Sequence, residues 1–159
     1  MSLLRRTYYL TEVTKIHRGN SHGCPVNAKP LFLLSIIESI ENGVLLNNKI
    51  CFNDNTIRDL YYDICLQYEP NRTPSPYILP YFHLISESFY HIDWNGVPFV
   101  PSPNAHSPSG KYIKENAKYS YLDQALWDLL QDFNVREEFR ETIINFFLKS
   151  RIVTYGNKI

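Results

Sequence analysis

The stretch "NAKPLFLLSIIESIENG", residues 27–43, is the most apolar run in the chain and decides the fold. Its apolar side chains recur at helical spacing at Leu31, Leu34, Ile37 and Ile40, which predicts a helix over residues 30–42. Pro30 suits the first helical position because its missing N–H has no partner there in any case. Gly43 follows as the residue expected to end the helix.

Lys29 stands directly before this proline and raises a question of charge. A proline disfavours helical backbone angles in the residue before it, so we expect Lys29 at or just outside the helix start. That end of a helix carries partial positive charge and unpaired N–H groups. A lysine there is electrostatically misplaced unless an anion comes to it.

Helices are predicted on both sides of this stretch. Residues 7–18 form a first helix with Tyr9, Val13 and Ile16 facing inward, and the loop of residues 19–28 follows it. Asp54 caps a further helix. Its apolar positions are Ile57, Leu60, Ile64 and Tyr68.

The C-terminal part of the sequence predicts two more helices, which begin at Asp123 and Asn134. The first buries Leu126, Leu129 and Leu130, and the second buries Phe139, Ile143, Phe146 and Phe147. The final "TYGNKI" is expected to be frayed.

The strands are expected to be short. "KICF", residues 49–52, has strand composition, and residues 97–100 predict one more strand. In "LPYFHLISESFYHIDW", two β-rich runs at residues 81–85 and 88–93 flank a polar turn at Ser86–Glu87, which predicts a hairpin. The fold class is therefore α+β: a mainly helical single domain, residues 1–150, packed on a small antiparallel sheet or hairpin, with residues 151–159 as a tail.

Charge is balanced overall but unevenly distributed. The chain has 16 Lys and Arg against 16 Asp and Glu, which argues against a non-specific polyanion binder. Residues 1–30 carry five basic side chains and one acidic, whereas residues 31–70 carry two basic and six acidic. Lys111, Lys114 and Lys118 add a second basic segment. Whether the two basic segments meet in space is not visible in the sequence.

The cysteines and histidines give no pattern of a metal site. Cys24, Cys51 and Cys65 are odd in number and lack C-x-x-C spacing, so we expect reduced, mostly buried thiols in a cytoplasmic protein. His22 and Cys24 have no clear partners for a zinc site, and no cofactor is expected. The first residues lack the apolar core of a signal peptide, and no run is long enough to span a membrane.

Three blocks in order resemble one known family. "CPVNAKPLFLLSIIESIENGVL" resembles APHKPLLLLALLDLIE, "LPYFHLISESFYHI" resembles a PFWHL…GFWHL block, and "YSYLDQALWDLLQDFNVREEFRETIINFFL" resembles YAxLDEELWxLLQDPxxRExLRxxLLxxYF. Together they are similar to the domain that precedes the nuclease in bacterial HNH restriction endonucleases. Its best understood members are the sulfur-binding domains of phosphorothioate-dependent restriction enzymes. The resemblance covers roughly residues 15–150.

The resemblance implies a module that binds double-stranded DNA, with a backbone that carries a phosphorothioate as the candidate modification. In the family a proline ring from the hairpin block helps to form a shallow apolar pocket for the sulfur, and Pro80 matches it, with Leu79 and His83 beside it. Lys29 matches the basic residue before the proline of the first block, which gives it a backbone phosphate as partner.

The expected phosphate contacts beyond Lys29 are Arg18, Lys111 and Lys114, and His22 is a polar contact in the loop before the helix. The chain departs from the family pattern in three ways. Ala28 replaces a histidine, Leu79 replaces an aromatic residue, and no HNH motif is present.

The missing motif leaves several alternatives open. Nuclease activity resides on a separate subunit or domain, or the protein binds without cutting; we expect no enzyme activity in this chain. A Lys29 that is simply an exposed lysine, and a Pro80 that simply opens an edge strand, remain the plain structural alternatives. A protein-interaction module that has lost DNA binding, with an apolar patch of hairpin aromatics and "PFVPSP", is the alternative function, and a homodimer is open as well.

Overall fold

The computed structural model of the protein describes residues 3–148; the tail of residues 151–159, including "TYGNKI", lies outside them. The helices are α1 (Leu3–Thr14), α2 (Ala28–Glu41), α3 (Asn55–Tyr68), α4 (Ile78–His83), α5 (Gly110–Asn116), α6 (Gln124–Leu129) and α7 (Phe133–Ile143). A 3₁₀ turn (Leu84–Ser86) continues α4, and a π-helical turn (Ile144–Leu148) continues α7. The strands are β1 (Asn20–Ser21), β2 (Cys24–Pro25), β3 (Tyr90–Trp94) and β4 (Ala117–Leu122).

The predicted fold class is confirmed: the protein is mainly helical, with two small antiparallel sheets. One sheet pairs β1 with β2 and the other pairs β3 with β4. Helix α2 is the centre of the domain and packs against α3, α4 and α7.

Helix α2 is buried over most of its surface, which its sequence explains. Phe32, Ile36 and Ile37 have no exposed surface, and neither do Ser35 and Ser39. Both serine hydroxyls donate to carbonyl oxygens one turn earlier in the helix, at 2.8 and 2.7 Å, so they leave no unpaired donor in the core. A helix without a polar face must lie inside the domain.

The two ends of α2 differ in how well the sequence predicted them. Gly43, with φ of 71°, takes the left-handed conformation expected after the last turn. At the other end the expectation was wrong, because α2 begins at Ala28 and includes Lys29. Pro30 therefore occupies the third helical position, where an N–H would still lack an intrahelical partner.

The predicted hairpin over residues 81–93 is also wrong in its first half. Residues 78–83 form α4, and only the second run becomes a strand, β3, whose partner is the distant β4. The aromatic residues that suggested a strand instead fill the core, where Tyr81, Phe82, Phe89 and Tyr90 are buried. Aromatic residues in this stretch therefore reflect burial in the core as much as a preference for strand conformation.

Other elements shift in detail. The first helix begins and ends four residues earlier than predicted, although Tyr9, Val13 and Ile16 are buried as expected. The loop of residues 19–28 contains the short β1–β2 pair. From "KICF" only Ile50 pairs, by a bridge to Ser120, and residues 97–100 form no strand.

The helix caps and the C-terminal core follow the prediction with two corrections. Asp54 caps α3 as expected, but α7 is capped by Asp132, whose carboxylate accepts from the Asn134 and Val135 N–H groups at 2.8 and 3.2 Å. Phe146 is 53% exposed rather than buried, because the π-helical turn changes the angular spacing of the side chains after Ile143. The other predicted core residues of α6 and α7 are buried: Leu126, Leu129, Leu130, Phe139, Ile143 and Phe147.

The cysteines are free thiols, but the expectation that they are mostly buried is wrong. Cys65 is buried on α3, whereas Cys24 and Cys51 are exposed. Cys24 lies on β2, and Cys51 lies between the buried Ile50 and Phe52, which packs against the core.

Candidate nucleic-acid interface

Five of the eight predicted binding residues line one cleft. They come from the segment before β1, from the start of α2 and from α4, and they enclose about 270 Å³. We call it the Pro80 cleft; the five residues are Arg18, Lys29, Leu79, Pro80 and His83. His17, Gly19, Val26, Ala28 and Ser75 complete its lining.

The two X–Pro pairs that the sequence singled out belong to the two helices that border this cleft. Pro80 is the third residue of α4, as Pro30 is of α2. Pro80 is buried and Leu79 is half-buried, so they form the apolar wall. Because a proline in the first turn breaks no intrahelical bond, α4 carries this wall without strain.

Lys29 already has an anionic partner within the protein. Its Nζ lies 2.8 Å from Ser86 Oγ and 3.3 Å from Glu87 Oε2, and its side chain is 16% exposed. Glu87 is buried, and its Oε2 also accepts from the His17 N–H at 3.2 Å and from Ser86 Oγ at 2.9 Å. Glu87 thus supplies, in the isolated protein, the negative charge that a lysine at a helix start requires.

Sequence reasoning missed Glu87 because nothing in the pattern links it to Lys29. The two residues are 58 positions apart, and Ser86–Glu87 was interpreted as a polar turn. Burial of a carboxylate directly after a short 3₁₀ turn follows from tertiary packing, which spacing does not encode.

Arg18 is held at the edge of the cleft by two contacts. Its Nη1 donates to Asn27 Oδ1 at 2.9 Å, and its guanidinium carbon lies 4.9 Å from the centre of the Phe147 ring. The buried Asn27 in turn donates to Glu69 Oε2 at 2.9 Å and makes no side-chain bond to the start of α2. Asn27, which the sequence suggested only as part of a loop, therefore orients Arg18.

His83 presents an uncharged ring to the cleft. Burial lowers its pKa from the usual 6.5, and the nearby charges of Lys29 and His106 lower it further. Its Nε2 lies 2.7 Å from Ser107 Oγ, which fixes the ring. At neutral pH the wall of Leu79, Pro80 and His83 is therefore without charge.

The remaining three predicted residues lie elsewhere. Lys111 and Lys114 line a second cleft of about 440 Å³, which the segment of residues 75–80 separates from the first. His22 lines a third cleft, of about 810 Å³, between the β1–β2 turn and the end of α3. In that turn His22 and Gly23 both have positive φ, 52° and 81°, as a two-residue hairpin turn requires.

Two further properties concern only residues 3–148. Within that range no three His, Cys, Asp or Glu side chains are grouped so that they could hold a metal ion. Also within it, each helix is too short or too polar to cross a bilayer.

Comparison with known proteins finds likeness in structure and not in sequence. No family model and no curated protein matches the chain. The sulfur binding domain of ScoMcrA, solved in complex with phosphorothioated DNA, superposes with a TM-score of 0.68 at 12% identity, covering 87% of this chain and 86% of that one. The sulfur binding domain of SprMcrA, also in complex with phosphorothioated DNA, gives 0.68 at 16% identity, over 89% and 85%.

The whole type IV phosphorothioation-dependent restriction endonuclease ScoMcrA also matches, with a TM-score of 0.63 at 12% identity. The match covers 92% of this chain but 29% of that enzyme. The resemblance to sulfur-binding domains that the three sequence blocks suggested is thus confirmed for the fold.

Proposed function

We propose that residues 1–150 form a DNA-recognition module of a restriction or phage-defence system. In this proposal the Pro80 cleft binds the backbone of double-stranded DNA and prefers a backbone that carries a phosphorothioate. The observation that carries the proposal is the meeting of an apolar wall, Leu79 and Pro80, with Arg18 and Lys29 in one cleft. The fold shared with domains solved on phosphorothioated DNA supports it.

The chemistry of the cleft suits sulfur better than oxygen. A phosphorothioate keeps the negative charge of the diester, but its sulfur is larger, more polarizable and less strongly hydrated than oxygen. Contact with the buried ring of Pro80 costs sulfur little hydration, whereas an anionic oxygen placed there loses strong hydrogen bonds to water. The cations at the rim then balance the charge that both backbones share.

The Lys29–Glu87 pair lowers the affinity of the cleft for any DNA backbone, modified or not. Glu87 cancels much of the charge of Lys29, so the cleft is not a bare cationic patch that takes any phosphate. Affinity for unmodified DNA is then modest, and the apolar contact to sulfur supplies the difference. The lysine still offers N–H donors to a backbone oxygen at the cleft rim.

We propose that this chain binds in the cytoplasm without cutting, and that cleavage belongs to a separate nuclease domain or subunit. The sequence carries no HNH motif.

Duplex binding over a salt series tests the proposal. Lys29→Gln and Arg18→Gln are compared with Lys118→Gln, an exposed lysine that lies on β4 outside the Pro80 cleft. We expect the unsubstituted protein to bind DNA in a salt-dependent manner. Each of the two cleft variants should bind more weakly, with its slope of log K against log salt reduced by about 1. Absence of salt-dependent binding to either modified or unmodified duplexes would end the proposal.

The alternative function, a protein-interaction module, has one observation in its favour. Val100, within the "PFVPSP" loop, and Val97, directly before it, are 77% and 69% exposed. The aromatic patch expected beside them is absent from residues 81–90, where the aromatic side chains are buried. A stable dimer on gel filtration, lost in a Val97→Ser and Val100→Ser double variant, together with no DNA retention would favour this alternative.

A further inference from the structure

The second cleft has a composition that the Pro80 cleft lacks. Its cationic side chains are Arg58 on α3 and Lys111 and Lys114 on α5. We call it the Arg58 cleft; its other lining residues are Phe52, Tyr62, Pro76, Tyr77, Ile78 and Gly110. None of the described residues that line it is acidic, so the three positive charges face an aromatic floor.

The cations of the Arg58 cleft are poorly neutralised within residues 3–148. Arg58 donates to the neutral Asn55 Oδ1 and makes no ion pair in that range. Lys114 is exposed and makes neither a hydrogen bond nor an ion pair with any described residue. Lys111 Nζ lies 3.9 Å from Glu115, with both side chains largely in solvent. Such an arrangement attracts an anion.

Tyr77 adds an independent sign of a missing ligand. The residue is 2% exposed, and its hydroxyl is the single buried side-chain polar atom in the described chain that lacks a hydrogen-bond partner. Its backbone N–H, by contrast, donates to Tyr62 Oη at 2.8 Å. Buried hydroxyls are nearly always bonded, so an unpartnered one calls for an explanation.

The Tyr77 ring cannot turn to find a partner elsewhere. It stacks on Phe52 at 5.7 Å between ring centres and meets the edge of Phe32 at 5.5 Å. Burial raises the pKa of its hydroxyl well above the usual value, so the group stays protonated and can donate. Tyr77 is itself one of the residues that line the Arg58 cleft.

We propose that the Arg58 cleft binds a phosphate group. Arg58 and Lys114 supply the positive charge, and the Tyr77 hydroxyl, which is buried in the free protein, donates a hydrogen bond to one phosphate oxygen once the phosphate displaces the side chains that cover it. The phosphate has two sources with the same chemistry: a backbone phosphate of the DNA held in the Pro80 cleft, across the wall of residues 75–80, or a free phosphate or phosphomonoester. The first source rests on the function proposed above, whereas the second does not.

A first experiment uses inorganic phosphate as the probe. Thermal unfolding of the full chain is followed in phosphate and in chloride at equal ionic strength. The variants are Arg58→Gln, Tyr77→Phe and, as the control, Lys118→Gln. We expect phosphate to raise the Tm of the unsubstituted protein and of the control, and to raise it less or not at all in the two cleft variants.

The Tyr77→Phe variant separates a ligand role from a structural role. Because the hydroxyl is unpaired in the free protein, its removal should leave Tm in chloride unchanged or higher. A marked fall of Tm in chloride would mean that the hydroxyl is already bonded, and would overturn its assignment as a ligand donor.

A second experiment uses DNA and distinguishes the two sources. If the ligand is a backbone phosphate, Arg58→Gln lowers the affinity for modified and unmodified duplexes by the same factor. The slope of log K against log salt falls by about 1. If the ligand is a free phosphate, DNA binding is unchanged while the Tm response is lost. The proposal is overturned when Arg58→Gln alters neither DNA affinity nor the response to phosphate. Failure of the unsubstituted protein to bind any DNA contradicts the proposed function instead.

Discussion

The Lys29 ammonium group lies 3.3 Å from the buried Glu87 carboxylate, at the rim of the cleft that also contains Pro80. The pair joins the start of α2 to the turn after α4, the two helices between which the cleft is formed. Lys29 is therefore both a structural ion-pair partner and a rim residue of the candidate site. A ligand's phosphate must share the lysine with Glu87.

The charge of Glu87 can be removed with little change in shape. Glu87→Gln should strengthen binding of modified and unmodified duplexes alike, by on the order of 1 kcal/mol or about fivefold at low salt, since a negative charge beside the backbone is lost. Fluorescence anisotropy with labelled duplexes measures the effect. Glu141→Gln, an exposed carboxylate on α7, is the matched control. Weaker binding by Glu87→Gln would show instead that Glu87 is needed to position Lys29.

The apolar wall should set the preference for sulfur. Leu79→Tyr places an aromatic ring on the wall and should raise the ratio of the affinity for modified DNA to that for unmodified DNA. Pro80→Ala should lower the same ratio. Each change should be about fivefold, or roughly 1 kcal/mol of apolar contact. Ile78→Ala, on the opposite side of the same segment, is the control because Ile78 lines the Arg58 cleft. Equal ratios in all three variants would exclude the wall from recognition.

His83 should make DNA binding depend on pH. Its pKa in the folded protein is lowered by burial, so below pH 6.5 the unfolded chain binds the proton more readily and this residue's contribution to stability falls as pH decreases. A bound backbone anion favours the protonated ring, so affinity should rise as the pH falls, with proton uptake. Calorimetry in two buffers of different ionisation enthalpy measures this uptake. His83→Gln should abolish it, and His22→Gln, in another cleft, should not.

The three thiols should react at different rates. Cys24 and Cys51 are exposed, whereas Cys65 is buried and burial raises its pKa to about 11. We expect two thiols per chain to react rapidly with a disulfide reagent at pH 8 and the third only after unfolding. Mass spectrometry of the labelled peptides identifies them, and rapid labelling of Cys65 would contradict the packing of α3 against the core.

Local pattern was enough to predict the helices that carry strong periodicity or a clear cap. Helix α2 was identified from its apolar spacing and α3 from Asp54, because both signals lie within a few residues. The first half of the predicted hairpin failed because Tyr81 and Phe82 have strand propensity but are buried on a short helix. Tyr81 contacts Phe32 and donates to the Ile50 carbonyl, and Phe82 packs against Phe99; these partners are remote in sequence.

The candidate site was predicted in part for the same reason. Lys29, Leu79 and Pro80 were found together because the family resemblance aligned both X–Pro pairs. Glu87, Asn27 and Tyr77 were missed, since their importance comes from contacts across the fold. Lys111 and Lys114 were grouped with Arg18 by charge alone, and charge does not reveal that the wall of residues 75–80 separates them.

Competition between two duplexes of one sequence tests the central claim most directly. A labelled phosphorothioate duplex is bound to the unsubstituted protein and displaced by unlabelled competitor, which is either the modified or the unmodified form. If the Pro80 cleft recognises sulfur, the modified competitor displaces the label at a concentration at least about tenfold lower, a difference of about 1.4 kcal/mol. Displacement by both competitors at the same concentration would contradict recognition of the modified backbone.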